Sequence, residues 1–351
     1  MLSVLRKCTY RIETHFLHRC LLHSTVWSTG DNQENVAPNF DDRLTLKSET
    51  RRSLKVALIG LPNAGKSTLI NHLTRRSICP TSSKVHTTIR KADAIYVEGN
   101  TQIVFMDTPG VTSPHEMKKY KLLGSFKKDP EISVTDADVI GIIQDASNRY
   151  TRYVISNCIK KYLEYKAYDT PLLLILNKVD QLEKKDALLN VTRQIITNVN
   201  NPKFDDIFMI SALSGDGVDD LRNYFMDSAK EREWQYEENL YTDQSVETII
   251  EETVRAKLMD VLMYEIPYTV KVKLEHFDVG DDNNISIVVK LECQKDRHVS
   301  ILLKHKAFHT KTIAVMAENE LRNAFRTTVH VKLHVQYYLQ SICWLHYQVL
   351  V

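Results

Sequence analysis

Eight consecutive residues restrict the fold of this chain more than any other feature. Gly60-Leu61-Pro62-Asn63-Ala64-Gly65-Lys66-Ser67 fits the pattern GxxxxGK[ST], follows a strand-like apolar run at 54–59, and opens a helical pattern. Its glycines let the backbone fold into a nest whose N–H groups face phosphate oxygens, at a helix N-terminus whose dipole favours anions. Lys66 would reach the β- and γ-phosphates, and the Ser67 hydroxyl would ligate Mg²⁺. Gly60, Asn63, Ala64, Gly65, Lys66, Ser67 and Thr68 are thus the expected phosphate-binding set, which calls for an α/β sheet with ligands at its C-terminal edge.

The rest of the N-terminal half agrees. Short apolar runs at 139–143, 172–176 and 207–210 have the length of buried strands, and amphipathic stretches around 154–165, 187–199 and 218–229 separate them. Strands alternating with helices predict a doubly wound, mostly parallel sheet covered on both faces. Runs at 94–97 and 103–106 hinge at Gly99-Asn100, a hairpin signal.

Three further motifs end strands in the right order. Asp107-Thr108-Pro109-Gly110 could hold Mg²⁺ through a water at Asp107 and bring the Gly110 N–H to the γ-phosphate. In Asn177-Lys178-Val179-Asp180, a carboxylate at Asp180 can accept both N1–H and the N2 amine of guanine, donors that adenine lacks. The Lys178 stem can cover the base plane. Ser211-Ala212 follows the last strand.

Composition bounds the alternatives. The net charge of +2 implies no nucleic-acid partner by itself, so any basic patch must be local. Six cysteines without CxxC spacing read as free thiols. No run approaches the roughly 18–20 apolar residues that span a bilayer. Residues 1–30 carry Arg6, Lys7, Arg11 and Arg19 against Glu13, the basic amphipathic composition of a mitochondrial presequence. A polar linker follows at 31–52. At 351 residues the chain has room for two domains. The expected division is a nucleotide domain at 53–230, a polar interdomain linker at 231–245, a second domain at 246–340 and a tail at 341–351. The second domain reads as a smaller α+β unit: helix 247–263, strands 268–277 and 284–292, helical material 299–325 and strand 329–338.

The motif order resembles that of the translation-factor-related GTPases, which implies GTP as the nucleotide. Switch I is then expected at His86-Thr87-Thr88-Ile89-Arg90, with Thr88 as the Mg²⁺-ligating threonine and Thr87 as the alternative. Lys66, Thr88, Asp107 and Gly110 form the expected catalytic set. Val111 stands where Ras-like proteins place a water-orienting Gln, so slow intrinsic hydrolysis is expected. GTPases of this kind often carry an Asn in the P-loop, matched by Asn63, and in some relatives it ligates K⁺.

Tyr241-Thr242-Asp243-Gln244-Ser245, Val254-Arg255-Ala256-Lys257-Leu258 and Glu265-Ile266-Pro267-Tyr268 resemble the junction and first helix and strand of the second domain in Era GTPases. The insertion Ser125-Phe126-Lys127-Lys128-Asp129-Pro130 resembles the animal mitochondrial branch. The resemblance implies a type II KH domain of order α-β-β-α-α-β, binding to small-subunit ribosomal RNA, and a role in assembling that subunit. Its site would be the mitochondrial matrix, in a monomer, with peripheral inner-membrane contact left open.

One departure stands out. Lys304-His305-Lys306-Ala307 occupies the place of the GXXG loop by which KH domains approach the nucleic-acid backbone. Lys304, Lys306, Lys311, Arg322 and Arg326 could hold RNA electrostatically. Residues 301–351 contain these five plus Lys332 against Glu318 and Glu320, a local balance of +4. The alternative is a GTP-gated protein- or membrane-binding module whose KH remnant no longer touches RNA.

Overall fold

The computed structural model describes residues 50–82, 84, 91–112, 125–167, 169–182, 186–280 and 282–337. The presequence, most of the first linker, the tail, and both Thr87 and Thr88 lie outside the described residues.

Alternation within one strand organises the N-terminal half. Strand β1 (Arg52–Gly60) sends Leu54, Val56 and Leu58 into one fully buried core, where α1 (Lys66–Thr74) and α5 (Val218–Ser228) contribute Leu69, Leu73, Leu221 and Phe225. Ala57 and Ile59 face a second core. There they meet Val134 of α2 (Ser125–Asp136), Ile159 of α3 (Asn157–Leu163) and Val191 and Ile195 of α4 (Asp186–Thr197). Burying both faces is what makes the central strands uniformly apolar.

The remaining strands are β2 (Ala92–Glu98), β3 (Thr101–Asp107), β4 (Val139–Asp145), β5 (Leu172–Asn177), β6 (Asp206–Met209) and β7 (Lys230–Glu231). Their order is β2-β3-β1-β4-β5-β6, parallel except for the β2–β3 hairpin, with β7 antiparallel to the start of β1. Gly99, at φ 57, supplies the left-handed residue of the hairpin turn. The fold class is the expected one, a mostly parallel α/β sheet followed by a smaller sheet domain.

The polar stretch after α5 is bound tightly to the first sheet. The Trp234 indole donates to the carbonyls of Arg52 (3.1 Å) and Asn100 (3.2 Å), and Gln102 bonds the backbone of Gln235 and Tyr236. Tyr241 and Thr242 then run beside the edge strand β2. Its polar side chains satisfy sheet-edge groups. Ser245 ends the stretch by capping the next helix, accepting from the Thr248 N–H at 3.2 Å.

The second sheet has order β10-β9-β8, with β8 (Lys271–Val279) antiparallel and β10 (Val329–Tyr337) parallel to β9 (Ile285–Cys293). Helices α6 (Val246–Val261) and α8 (Asp296–Phe325) cover one face, over Ile287, Val289, Leu291, Val331 and Leu333. Two details differ from the sequence reading. Ile266–Thr269 form a short helix, α7, because Pro267 needs no N–H partner in a first turn, and the strand starts only at Lys271. Within α8, Lys306 and Ala307 both take left-handed backbone at φ 57 and 58, so the chain turns between two helical limbs. For residues with a Cβ this costs roughly 1–2 kcal/mol each.

The domains meet where α6 and α8 grip the segment after α1. Lys257 Nζ donates to the Thr81 carbonyl (3.1 Å), the Thr81 N–H donates to Glu320 Oε1 (3.4 Å), and Ser82 Oγ donates to Asp260 (2.9 Å). Lys257 and Glu320 form an ion pair with side chains only 8% and 11% exposed. Burial pushes the Glu320 carboxyl up, and the Lys257 ammonium opposes that shift. Lys257→Met should therefore destabilise the protein by roughly 3–5 kcal/mol, because it leaves a buried carboxylate uncompensated. Adding Glu320→Leu should recover much of that loss in urea denaturation. No recovery would show that the Thr81 contacts, not the ion pair, carry the stability.

Candidate nucleotide site

Strand β1 delivers the phosphate loop at its C-terminal end. Gly65 has φ 97, and a Cβ there would lie 2.2 Å from the Asn177 amide nitrogen, so only glycine fits. Asn63, exposed at the lip, is also left-handed, at φ 60. Lys66 folds back, its Nζ 3.2 Å from the carbonyls of both Gly60 and Leu61. Burial pushes the Lys66 ammonium down to about 8, and the nearby Asp107 charge works in the other direction.

Strand β3 brings Asp107 opposite. The Ser67 hydroxyl donates to Asp107 Oδ2 at 2.8 Å, so the two expected metal ligands converge, one from the first turn of α1 and one from the end of β3. Gly110 packs on the phosphate loop so closely that a Cβ would lie 2.8 Å from Pro62 Cα. The Val111 N–H donates to the Gly60 carbonyl (3.0 Å) while its side chain is wholly buried in the second core. An open cleft runs over this region, lined by Lys66, Ser67, Thr68 and Gly110 together with Pro80, Thr81 and Ser82.

The base end depends on one amide. Asn177, buried at the end of β5, donates from Nδ2 to the Ala64 carbonyl (2.8 Å) and accepts at Oδ1 from the Ala212 N–H (2.9 Å). It therefore ties three of the four motifs together. Lys178 is left-handed at φ 64, and its ammonium lies 2.7 Å from Asp145. Asp180 is exposed in the turn that follows. Ser211 is fully buried; its carbonyl accepts from Gly215 and its hydroxyl from the Ser214 N–H.

Asp145 was not expected from sequence. Burial works to raise its carboxyl, but hydrogen bonds from Lys178 and Ser147 and the Lys178 charge bring it below the usual carboxylate range. The signal available was its position at the end of β4, level in register with Asn177.

The structure divides the RNA candidates into two groups. Lys304, Lys306 and Lys311 are exposed around the left-handed turn of α8. Arg322 and Arg326 lie at the other end of the helix, roughly 20 Å away at 1.5 Å per residue. Arg322 is 4.0 Å from Glu318, and Arg326 sits near Arg76 of the first domain, whose charge it opposes.

Phosphate and base loops gathered at the C-terminal edge of a parallel sheet define a P-loop GTPase. Residues 55–178 match the family model of the 50S ribosome-binding GTPases. The mitochondrial GTPase Era of Danio rerio is 32% identical, over 82% of this chain and 76% of its own length. GTPase Era of Brucella suis is 33% identical, over 81% and 88%. A crystal structure of Era in complex with MgGDPNP and a fragment of 16S ribosomal RNA aligns with TM-score 0.69 at 27% identity, covering 83% of this chain and 95% of the other. The chain belongs to the Era family of GTPases.

Burial lowers the Lys66 ammonium to about 8, whereas bound phosphate would favour its charged form, so nucleotide binding should couple to a proton at this site. GDP affinity should be level from pH 6.5 to 7.5 and fall roughly tenfold by pH 9, read by fluorescent-nucleotide titration. Unchanged affinity at pH 9 would place the Lys66 ammonium well above that range.

Proposed function

We propose that this GTPase is a GTP-operated switch that binds small-subunit ribosomal RNA and acts in assembling the mitochondrial small ribosomal subunit. One observation carries the reading: Pro80, Thr81 and Ser82 line the phosphate cleft, and Thr81 and Ser82 are also held by α6 and α8 of the second domain. A change of nucleotide that moves this wall must act on the domain bonded to it. The relatives named mitochondrial Era and the Era complex with 16S ribosomal RNA support the partner and the compartment. The basic presequence composition supports the matrix as the destination.

We assign residues 53–230 to the GTPase domain, 231–245 to its connector and 246–340 to a KH-like domain. Within the first, Lys66 and the backbone of Gly60, Asn63, Ala64, Gly65 and Thr68 would hold the phosphates. Asn177, Lys178, Asp180, Ser211 and Ala212 would frame guanine. Mg²⁺ fits the convergence of Ser67 and Asp107, with Thr88 as the third ligand and Asp107 acting through water, and when bound it neutralises charge on the phosphate oxygens. Gly110 lines the same cleft, where its N–H would reach the γ-phosphate. Val111, buried and apolar, offers no group to orient a water, so unaided hydrolysis should be on the order of 10⁻⁴ to 10⁻² s⁻¹. Asn63, exposed at the lip, would take K⁺ beside the phosphates. Turnover should then be faster in KCl than in NaCl at equal ionic strength; equal rates would remove K⁺ from the site.

The RNA reading is tested with the chain from residue 31 onward. Loaded with a non-hydrolysable GTP analogue or with GDP, it is titrated with a 3′ fragment of mitochondrial small-subunit ribosomal RNA and a scrambled control across a salt series. Nucleotide-dependent preference for the true fragment is expected, with a log–log salt slope near −0.7 for each phosphate neutralised. Equal weak binding to both RNAs in both nucleotide states would assign the second domain to a protein or membrane partner.

A further inference from the structure

The left-handed turn in α8 sorts its residues sharply. Ala307 is 4% exposed and Thr310 wholly buried, its hydroxyl closing on the Leu302 carbonyl at 2.8 Å to tie the two limbs together. Lys304, Lys306 and Lys311 point to solvent, and so does Phe308, 61% exposed. A phenyl ring this open contributes little to the core. Among the described residues the ring contact of Phe308 is edge-on with His309, centroids 5.9 Å apart, and Phe308 is not part of the core beneath the second sheet. Val315, 56% exposed, follows two helical turns later on the same side as Lys311.

The charges around the ring are available. Among the described residues, Lys304, Lys306 and Lys311 take part in no ion pair, whereas the acids further along are engaged: Glu320 with Lys257, and Glu318 with the Val331 N–H. The result is an exposed ring with three exposed lysines within four residues of it along the chain, none of them in an ion pair among the described residues. Single-stranded nucleic acid suits such a surface, because an unpaired base stacks on an aromatic ring while lysines neutralise the flanking phosphates. A duplex keeps its bases stacked on one another and offers the ring nothing.

We infer that Phe308 is a stacking platform for an unpaired base of single-stranded RNA, flanked by Lys304, Lys306 and Lys311. The inference rests on RNA binding by the second domain and specifies how a turn without glycines achieves it. Backbone approach to the nucleic acid is replaced by base stacking plus charge. Such a site discriminates single strand from duplex strongly and one base from another weakly, since every base has a π face.

The test compares wild type with Phe308→Ala, Phe308→Trp and the double variant Lys304→Glu, Lys311→Glu. Each is bound to the single-stranded 3′ ribosomal RNA fragment and to the same fragment annealed to its complement. Phe308→Ala should weaken single-strand binding about tenfold with the salt slope unchanged, and leave the duplex unaffected. Phe308→Trp should bind as wild type or better. The lysine variant should lower both affinity and salt slope. Normal binding by Phe308→Ala, with loss in the lysine variant, would overturn the stacking role and leave the RNA reading intact. Binding unchanged in every variant would move RNA away from this surface. A wild type that ignores both RNAs would overturn the RNA reading too, and assign the exposed ring to a protein contact.

Discussion

The nucleotide site depends on the side-chain amide of Asn177. With no water reaching it, the group must satisfy its donor and acceptor within the protein, and it does so on the backbones of Ala64 and Ala212. Those two bonds fix the distance from the phosphate loop to the loops that frame the base. The same amide nitrogen occupies the space that a Cβ on Gly65 would need, so the requirement for glycine is set by a residue more than a hundred positions away. A strand-end asparagine, a glycine and an alanine carbonyl are thus one mechanical unit. Lys178 next in line is held by Asp145, which extends the unit to a fourth strand end.

A second dependence joins the two domains. The buried Lys257–Glu320 pair lies between α6 and α8, and both side chains also hold the Thr81 backbone, Lys257 at its carbonyl and Glu320 at its N–H. An ion pair in the interior contributes little stability relative to an apolar pair, yet it is exacting about geometry. Here it specifies where the segment leading from α1 meets the second domain. The wall of the phosphate cleft and the packing of the second domain's helices therefore share residues, which is the physical route that the proposed switch would use.

The turn within α8 shows how left-handed backbone can be held without glycine. Lys306 and Ala307 remain left-handed despite their side chains. The cost is met locally by burial of Ala307 and by the Thr310 bond to Leu302 across the turn. Keeping the turn keeps Lys304, Lys306 and Phe308 on its outer side, whereas Arg322 and Arg326, which the sequence grouped with the lysines, belong to the opposite end of the helix. A run of basic residues along a chain becomes one patch only if the helix brings them to one end.

Much of this molecule was legible from its residues. The phosphate loop, the hairpin at Gly99, the strand-end motifs and most of the element order follow from local rules: glycine where the backbone must turn left-handed, apolar runs where both faces are buried, and polar motifs where strands end. Helix α2, strand β7 and the short α7 were not legible in this way. What tertiary structure alone decided are the pairings between distant residues. The stretch after α5 reads as a linker because its polar groups are indistinguishable in sequence from solvated ones, until Gln102 and the edge of β2 take them up. Asp145, Lys257 and Glu320 are ordinary charges in the sequence and acquire roles only from the burial and partners that folding gives them. Local pattern follows from covalent geometry and burial periodicity, which neighbouring residues encode. Electrostatic partnership depends on separation and dielectric, which exist only once the chain is folded.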